Sequence, residues 1–235
     1  MDTVLLITGS GEAAGARLRT APVLGERHRV LTLHVGGDPA QLADDAAAML
    51  DAVGIPSTHV YGVGFGGLVA QHIAARHSDR VLRLVLAATP AGVEPDTTTR
   101  GFLERREHMP PAEAAWATVP YAYARATRRA GADRIGEDIA EALRLPLELD
   151  DRAAPSTPLQ IDAPTLALHG AEDLLVPPAN GRALAGAIQG VEYVELEGAA
   201  HHYATDMPDA DRRVLRFLAG RSRAVRQRPP RRARA

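Results

Sequence analysis

The chain has no cysteine and no lysine, since all 27 of its basic residues are arginine. The absence of cysteine excludes disulfides, a thiolate nucleophile and a thiolate metal site, and the absence of lysine excludes Schiff-base chemistry, which needs an amine. Residues 1–9 also lack the charged start, apolar run and small-residue cleavage site of a secretory leader. We therefore expect a cytoplasmic protein with no membrane partner.

Charge is distributed unevenly along the sequence. Residues 221–235 contain seven arginines and no acidic residue, and the whole chain has a formal net charge of −2, which leaves −9 for residues 1–220. This composition predicts a disordered basic tail. A solvated terminus is the favoured interpretation, so no nucleic-acid partner is expected; contact with nucleic acid or an acidic partner is the alternative.

Apolar runs alternate with segments of helical periodicity along most of the 235 residues, of which 46% are hydrophobic. This βαβ order is typical of an α/β fold, here a mostly parallel, doubly wound sheet built by residues 1–91 and 160–220. Residues 92–159 hold short helical pieces separated by Pro or Gly and are predicted to form a small helical cap. The predicted strands are 3–8, 29–35, 59–63, 80–89 and 191–197, and the predicted cap helices are 97–108, 111–129 and 134–143.

The segment from Gly62 to Gly67 reads Gly-Val-Gly-Phe-Gly-Gly between a predicted strand and a predicted helix. This is the frame of the nucleophile elbow Gly-x-Ser-x-Gly, whose strained apex residue holds its side chain above the sheet. The apex here is Gly64, which has no oxygen, so covalent acyl-enzyme chemistry at this position is excluded. A dinucleotide-binding loop needs an acidic residue about 20 positions downstream, at the end of the next strand; the sequence has Ala87–Pro90 there.

Together with two later loops, this elbow resembles the α/β-hydrolase superfamily over most of residues 3–220. The resemblance places the triad acid after a late strand, where Asp173 matches, and the triad histidine after the last strand, where His201 matches. Gly64, Asp173 and His201 keep the family's chain order of nucleophile, acid and histidine. The chain departs from the family at its apex, at residues 8–10 where the family often has His-Gly, in a short loop after the second strand, and in a missing N-terminal hairpin.

The resemblance also implies an oxyanion hole. The Phe65 N–H, at the start of a helix, would be one donor, and Ser10 or Gly11 would supply the other. Ser10 as a displaced nucleophile is a disfavoured alternative. His202 and Tyr203 are expected to be structural.

Residues of the cap and of the strand ends are expected to form a pocket for a small organic molecule. The alternative for the cap aromatics is that they only pin the cap to the core. Adjacent histidines lack the i, i+4 spacing that presents two metal ligands on one helix face, so no metal and no cofactor are predicted. The candidate pocket residues are Gly9, His34, Trp116 and Tyr121.

Three functions stay open from the sequence. The first is an enzyme in which His201, oriented by Asp173, acts as general base on the substrate or on water, giving elimination, cyclisation, isomerisation or hydrolysis. The second is a serine esterase or lactonase whose nucleophile is replaced by Gly64, and the third is a non-catalytic binding protein. We take the first as the working hypothesis. The GC-rich coding that the composition suggests is consistent with a role in secondary metabolism.

Overall fold

A computed structural model describes residues 1–9, 13–144 and 159–220. Its centre is a six-stranded, all-parallel sheet with the order β2-β1-β3-β4-β5-β6. The prediction of an α/β fold with a parallel sheet is confirmed. The strands are β1 (Thr3–Thr8), β2 (Arg29–His34), β3 (Thr58–Val63), β4 (Val81–Ala87), β5 (Thr165–Gly170) and β6 (Glu192–Leu196).

Helices cover both faces of this sheet, and a further group lies between β4 and β5. None of the described helices is long and apolar enough to cross a membrane. The helices are α1 (Ala13–Gly15), followed by a π-helical turn (Ala16–Thr20), α2 (Ala21–Gly25), α3 (Pro39–Ala52), α4 (Phe65–Arg76), α5 (Thr97–Arg106), α6 (Pro111–Ala122), α7 (Arg125–Ala130), α8 (Ala132–Ala142), α9 (Ala179–Ala187), α10 (Tyr203–Asp206) and α11 (Ala210–Leu218).

Strand β1 shows why the sequence forms two helical layers. Its side chains at Leu5 and Ile7 belong to the core beneath α3, α4 and α9, whereas Val4 and Leu6 belong to the core beneath α2 and α11. Successive side chains of a strand point to opposite faces, so a continuous apolar run requires cover on both. The functional residues can then lie only at the strand ends.

The cap region differs from its prediction in one respect. Residues 111–129 were expected to form one helix, but α6 ends at Ala122 and α7 begins at Arg125, with Tyr123 and Ala124 extended between them. Pro120 lies in the last turn of α6 and has no N–H to pair with the carbonyl four residues earlier, which weakens that turn. The predicted cap, 92–159, runs past the described residues, and the predicted tail, 221–235, lies outside them.

Two histidines are packed together at the amino-terminal end of the sheet. His28 and His59 are 8% and 3% exposed, and their ring centroids are 5.5 Å apart in an edge-to-face arrangement. None of their ring nitrogens makes a hydrogen bond. Burial, assisted by the charges of His28 and Arg83, lowers the pKa of His59 to about 4, although Asp2 acts in the opposite direction.

We expect the free energy of unfolding to fall as the pH drops from about 6.5 to about 4, because His59 stays neutral in the folded chain while the unfolded chain takes up the proton. The loss should be on the order of 2 kcal/mol, and His59→Phe should remove it. Urea unfolding of both proteins at about pH 7 and about pH 4.5 measures the change within each protein, so any packing effect of Phe cancels. An equal pH dependence in the two proteins would contradict this prediction.

Candidate active site

The nucleophile elbow lies between β3 and α4, at the carboxyl end of the sheet. Its apex, Gly64, has φ 54° and ψ −124°, a conformation that strains any residue with a Cβ. The Gly64 N–H donates to the Ala87 carbonyl at 3.0 Å, and the Gly64 carbonyl accepts from the Thr89 hydroxyl at 2.8 Å. The structure therefore has the strained turn that the motif predicted, with glycine at its apex.

The other glycines of the elbow are required by close packing. A Cβ on Gly66 would lie 2.1 Å from the carbonyl oxygen of Ile7, and one on Gly67 would lie 2.1 Å from Thr89 Oγ1. A Cβ on Gly62 would lie 2.5 Å from the carbonyl oxygen of Gly66. The glycines are spaced as they are because the strand passes into the helix through a tight turn that has no room for a Cβ. Their spacing does not require a phosphate-binding loop as its explanation.

Asp173 and His201 are buried side by side, 2% and 4% exposed, with Asp173 Oδ2 2.8 Å from His201 Nδ1. Asp173 Oδ1 accepts the Val176 N–H at 2.9 Å, and His169 Nε2 lies 3.4 Å from Oδ2. Burial alone would raise the pKa of Asp173, but the two imidazoles outweigh burial and hold it at about 2. The ionised carboxylate accepts a hydrogen bond from a protonated Nδ1. We therefore assign Nε2 as the basic nitrogen of His201.

The loops that carry these two residues are held together by their backbones. A Cβ on Gly170, the last residue of β5, would lie 2.3 Å from the carbonyl oxygen of Ala200. Just beyond it, the Glu172 N–H donates to the Ala199 carbonyl at 2.9 Å. Only a glycine at the end of β5 lets the two loops approach this closely.

His201 lines a small pocket together with Val63, the residue before Gly64, and with residues of the first helical turns such as Ala16. Phe65 is the first residue of α4, so its N–H has no acceptor within the helix and suits an oxyanion donor. The second predicted donor, Ser10 or Gly11, lies outside the described residues.

The predicted pocket residues at the strand ends are neighbours. Gly9 is buried directly after β1, and His34 ends β2, with its Nδ1 2.7 Å from the Thr8 hydroxyl. Burial and the nearby charge of Arg17 lower the pKa of His34. Whether Gly9 and His34 contact a ligand stays a prediction.

The two predicted pocket residues of the cap, Tyr121 and Trp116, differ in how far they are buried. Tyr121 is half-buried and its ring stacks on Phe102 with the centroids 4.0 Å apart. Trp116 is 56% exposed, so the structure does not place it inside an enclosed pocket. Phe102 and Tyr123 are 4% and 5% exposed, as residues that pin the cap to its surroundings would be.

The two residues after His201, which were expected to be structural, line the same small pocket as His201 and also pack against other side chains. Tyr203 is buried, and its hydroxyl meets the hydroxyl of Tyr61 and the carboxyl group of Asp211. The ring of His202 stacks on Tyr123, with centroids 4.7 Å apart. In the described part of the chain, no three His, Asp or Glu side chains are grouped so that they could hold a metal ion.

A comparison with known protein families shows to which family the chain belongs. A family model described as the alpha/beta hydrolase fold matches residues 5–153, more than half of the chain. The chain belongs to the α/β-hydrolase fold family. The resemblance inferred from the elbow and the two loops is thereby confirmed.

Relatives of this α/β-hydrolase include named enzymes. The pimeloyl-(acyl-carrier protein) methyl ester esterase of Chromobacterium violaceum is 31% identical over an alignment of 230 positions. The alignment covers 88% of this chain and 82% of that protein. The crystal structure of a hydrolase from Pseudomonas aeruginosa PA01 matches with a TM-score of 0.74 and 25% identity, over 93% of this chain and 90% of that one. An enol-lactonase from Burkholderia xenovorans LB400 shares the fold, with a TM-score of 0.75 and 24% identity over 92% and 91% of the two chains. An α/β-hydrolase-fold enzyme is the class that these relatives indicate.

Proposed function

We propose that this α/β-hydrolase acts on a small organic molecule without a covalent enzyme intermediate, with His201 as general base. The observation that carries the proposal is the 2.8 Å contact between His201 Nδ1 and the buried carboxylate of Asp173, in a chain whose elbow has Gly64 at its apex. Burying a carboxylate is costly unless it is paired, and a site that only binds a ligand has no need of an oriented imidazole. The proposed setting, cytoplasmic and in secondary metabolism, rests on the sequence alone.

The chemistry follows from the two groups that the site retains. His201 Nε2 would take a proton from the substrate, or from a water that occupies the position of the missing side chain, and the Phe65 N–H would stabilise the resulting anion. A positioned base supplies about 10² to 10⁴ in rate and an oxyanion donor about 10² to 10³. Elimination, cyclisation, isomerisation and water-mediated hydrolysis are all accessible without a serine and without a cofactor.

A serine esterase or lactonase in which Gly64 replaces the nucleophile is the second candidate. Two observations favour it. The apex keeps the strained φ of 54° that a nucleophile would require, and the Chromobacterium violaceum relative is named as an ester hydrolase. In this case the chain would bind its ester but turn it over slowly.

Two chromogenic reactions, measured side by side, separate these candidates. Elimination of a nitrobenzisoxazole needs only a base, which takes the ring C–H proton while the N–O bond breaks and the phenolate oxygen receives the electron pair. Hydrolysis of p-nitrophenyl acetate with a burst reports an acyl-enzyme. We expect the unaltered chain to catalyse the elimination without an ester burst, and Gly64→Ser not to raise the elimination rate.

Gly64→Ala is the matched control, because it strains the apex as serine does but has no hydroxyl. Ester hydrolysis that appears with Gly64→Ser and not with Gly64→Ala, while the unaltered chain catalyses no elimination, would establish the second candidate instead. Inactivity of all three proteins in both reactions would indicate a non-catalytic binding protein.

A further inference from the structure

The junction between α6 and α7, residues 121–125, in which Tyr123 and Ala124 are extended, runs between the loops that carry Asp173 and His201; we call it the cap strap. On one side it meets the acid loop, residues 171–176. The Tyr121 carbonyl accepts the Leu174 N–H at 3.4 Å, and the Arg125 N–H donates to Glu172 Oε2 at 2.8 Å. The strap is therefore fixed to the acid loop at both of its ends.

On its other side the cap strap meets the histidine loop, residues 198–206. The Ala122 carbonyl accepts the His202 N–H at 2.8 Å, and the Ala124 N–H donates to both carboxylate oxygens of Asp206, at 3.0 and 3.1 Å. The two ends of the cap strap thus bond to the acid loop, and its middle bonds to the histidine loop. Cap and catalytic loops form one hydrogen-bonded unit at this point.

The carboxylate of Asp206 is the junction of this unit. Besides the cap strap, it accepts the N–H of Ala200, the residue before His201, at 2.7 Å, and the hydroxyl of Thr127 in α7. Burial raises the pKa of Asp206, and the hydrogen bonds from Thr127, Ala200 and Ala124 oppose that rise. One side chain therefore joins the residue next to the base to two parts of the cap.

A second carboxylate reinforces the same contact from the cap side. Asp138 of α8 is 2% exposed and accepts hydrogen bonds from Thr205 Oγ1 at 2.5 Å and from the Tyr123 hydroxyl at 3.3 Å. Arg134, also of α8, donates to the Thr205 carbonyl at 3.0 Å. The residue before Asp206 is thus held by α8, so the histidine loop has little freedom to move apart from the cap.

We propose that Asp206 is a positioning residue for His201: by joining Ala200 to the cap strap, it holds the imidazole against Asp173. The cap strap then helps to hold His201 in place. Substrate therefore has to enter at another part of the cap. The inference takes from the proposed function only that His201 is the base, and its first readout needs no turnover.

The test compares Asp206→Asn with Asp209→Asn. An amide has no negative charge and presents an NH₂ group where Oδ1 accepts from Ala124, so it weakens the hydrogen bonds that the carboxylate of Asp206 accepts from Ala200 and Ala124. Asp209 lies three residues on, with 89% of its side chain exposed, and serves as the control. Imidazole NMR should show the low-field Nδ1 proton of His201 in the unaltered chain and in Asp209→Asn, and its loss in Asp206→Asn with the far-UV circular dichroism unchanged.

The elimination rate supplies the second readout. Asp206→Asn should lower kcat by about 10- to 100-fold with little change in KM, because the base is misplaced while the substrate pocket stays intact. An unchanged Nδ1 resonance in Asp206→Asn would overturn the inference. Failure of the proposed function alone would appear as an intact resonance with no elimination in the unaltered chain. Should Asp206→Asn not fold, Thr127→Val, which removes one donor at similar volume, is expected to weaken the same resonance.

Discussion

In His201→Ala, kcat for nitrobenzisoxazole elimination should fall by about 10² to 10⁴-fold, because the variant lacks the imidazole that is proposed to take the proton. Asp173→Asn should cause a comparable loss. The amide would donate to Nδ1 and leave the proton on Nε2, the nitrogen that has to accept one. Initial rates at saturating substrate, with circular dichroism to confirm folding, measure both effects.

An exposed histidine provides the control for these two variants. His108 is exposed in the turn after α5, and His108→Ala should retain the rate of the unaltered chain. Full turnover by His201→Ala would overturn the assignment of the Asp173–His201 pair. A loss in His201→Ala with none in Asp173→Asn would show that His201 acts without orientation by its partner.

Gly66→Ala should lower the free energy of unfolding by more than about 4 kcal/mol. The added methyl group would lie 2.1 Å from the carbonyl oxygen of Ile7, and neither the central strand β1 nor α4 can move away without opening the core. Gly136→Ala, in α8, is the matched control. A Cβ on Gly136 meets nothing within 4 Å, so alanine should stabilise the protein by roughly 0.5 to 1 kcal/mol.

Urea unfolding followed by circular dichroism compares the two variants. If Gly66→Ala fails to accumulate, Gly67→Ala gives the same information through a different contact, since its Cβ would lie 2.1 Å from Thr89 Oγ1. Unfolding midpoints of Gly66→Ala and Gly136→Ala that match within error would show that the close approach of the elbow to β1 is not needed for stability.

The fold could be predicted because its strands are apolar throughout and alternate with helices. Residues such as Leu5 and Leu6 face different cores, and no half-exposed strand would carry such a run. Element ends were less predictable. Strand β4 was expected to reach Thr89 but ends at Ala87, since Ala88 has φ 48° and turns the chain away, which nothing in an alanine residue signals.

The site could be predicted only as far as it follows local motifs. Asp173 and His201 stand in recognisable loops, and the structure brings them together as expected. Asp206 and His169 were missed, because a residue's contact with a distant loop leaves no local pattern. The cap strap was missed because residues 111–129 were predicted as one helix, although Pro120 was a usable signal for an earlier end.

The conformation of Gly64 also bears on how reversible the replacement of a nucleophile is over evolutionary time. A side chain at φ 54° and ψ −124° costs about 1 to 3 kcal/mol, a sizeable fraction of the 5 to 15 kcal/mol by which a typical domain is stable. A chain with glycine there is spared that strain and tolerates destabilising substitutions elsewhere that a serine form would not. Once such substitutions accumulate, a return to serine costs stability before it adds any chemistry, so the step is easier to take than to retrace.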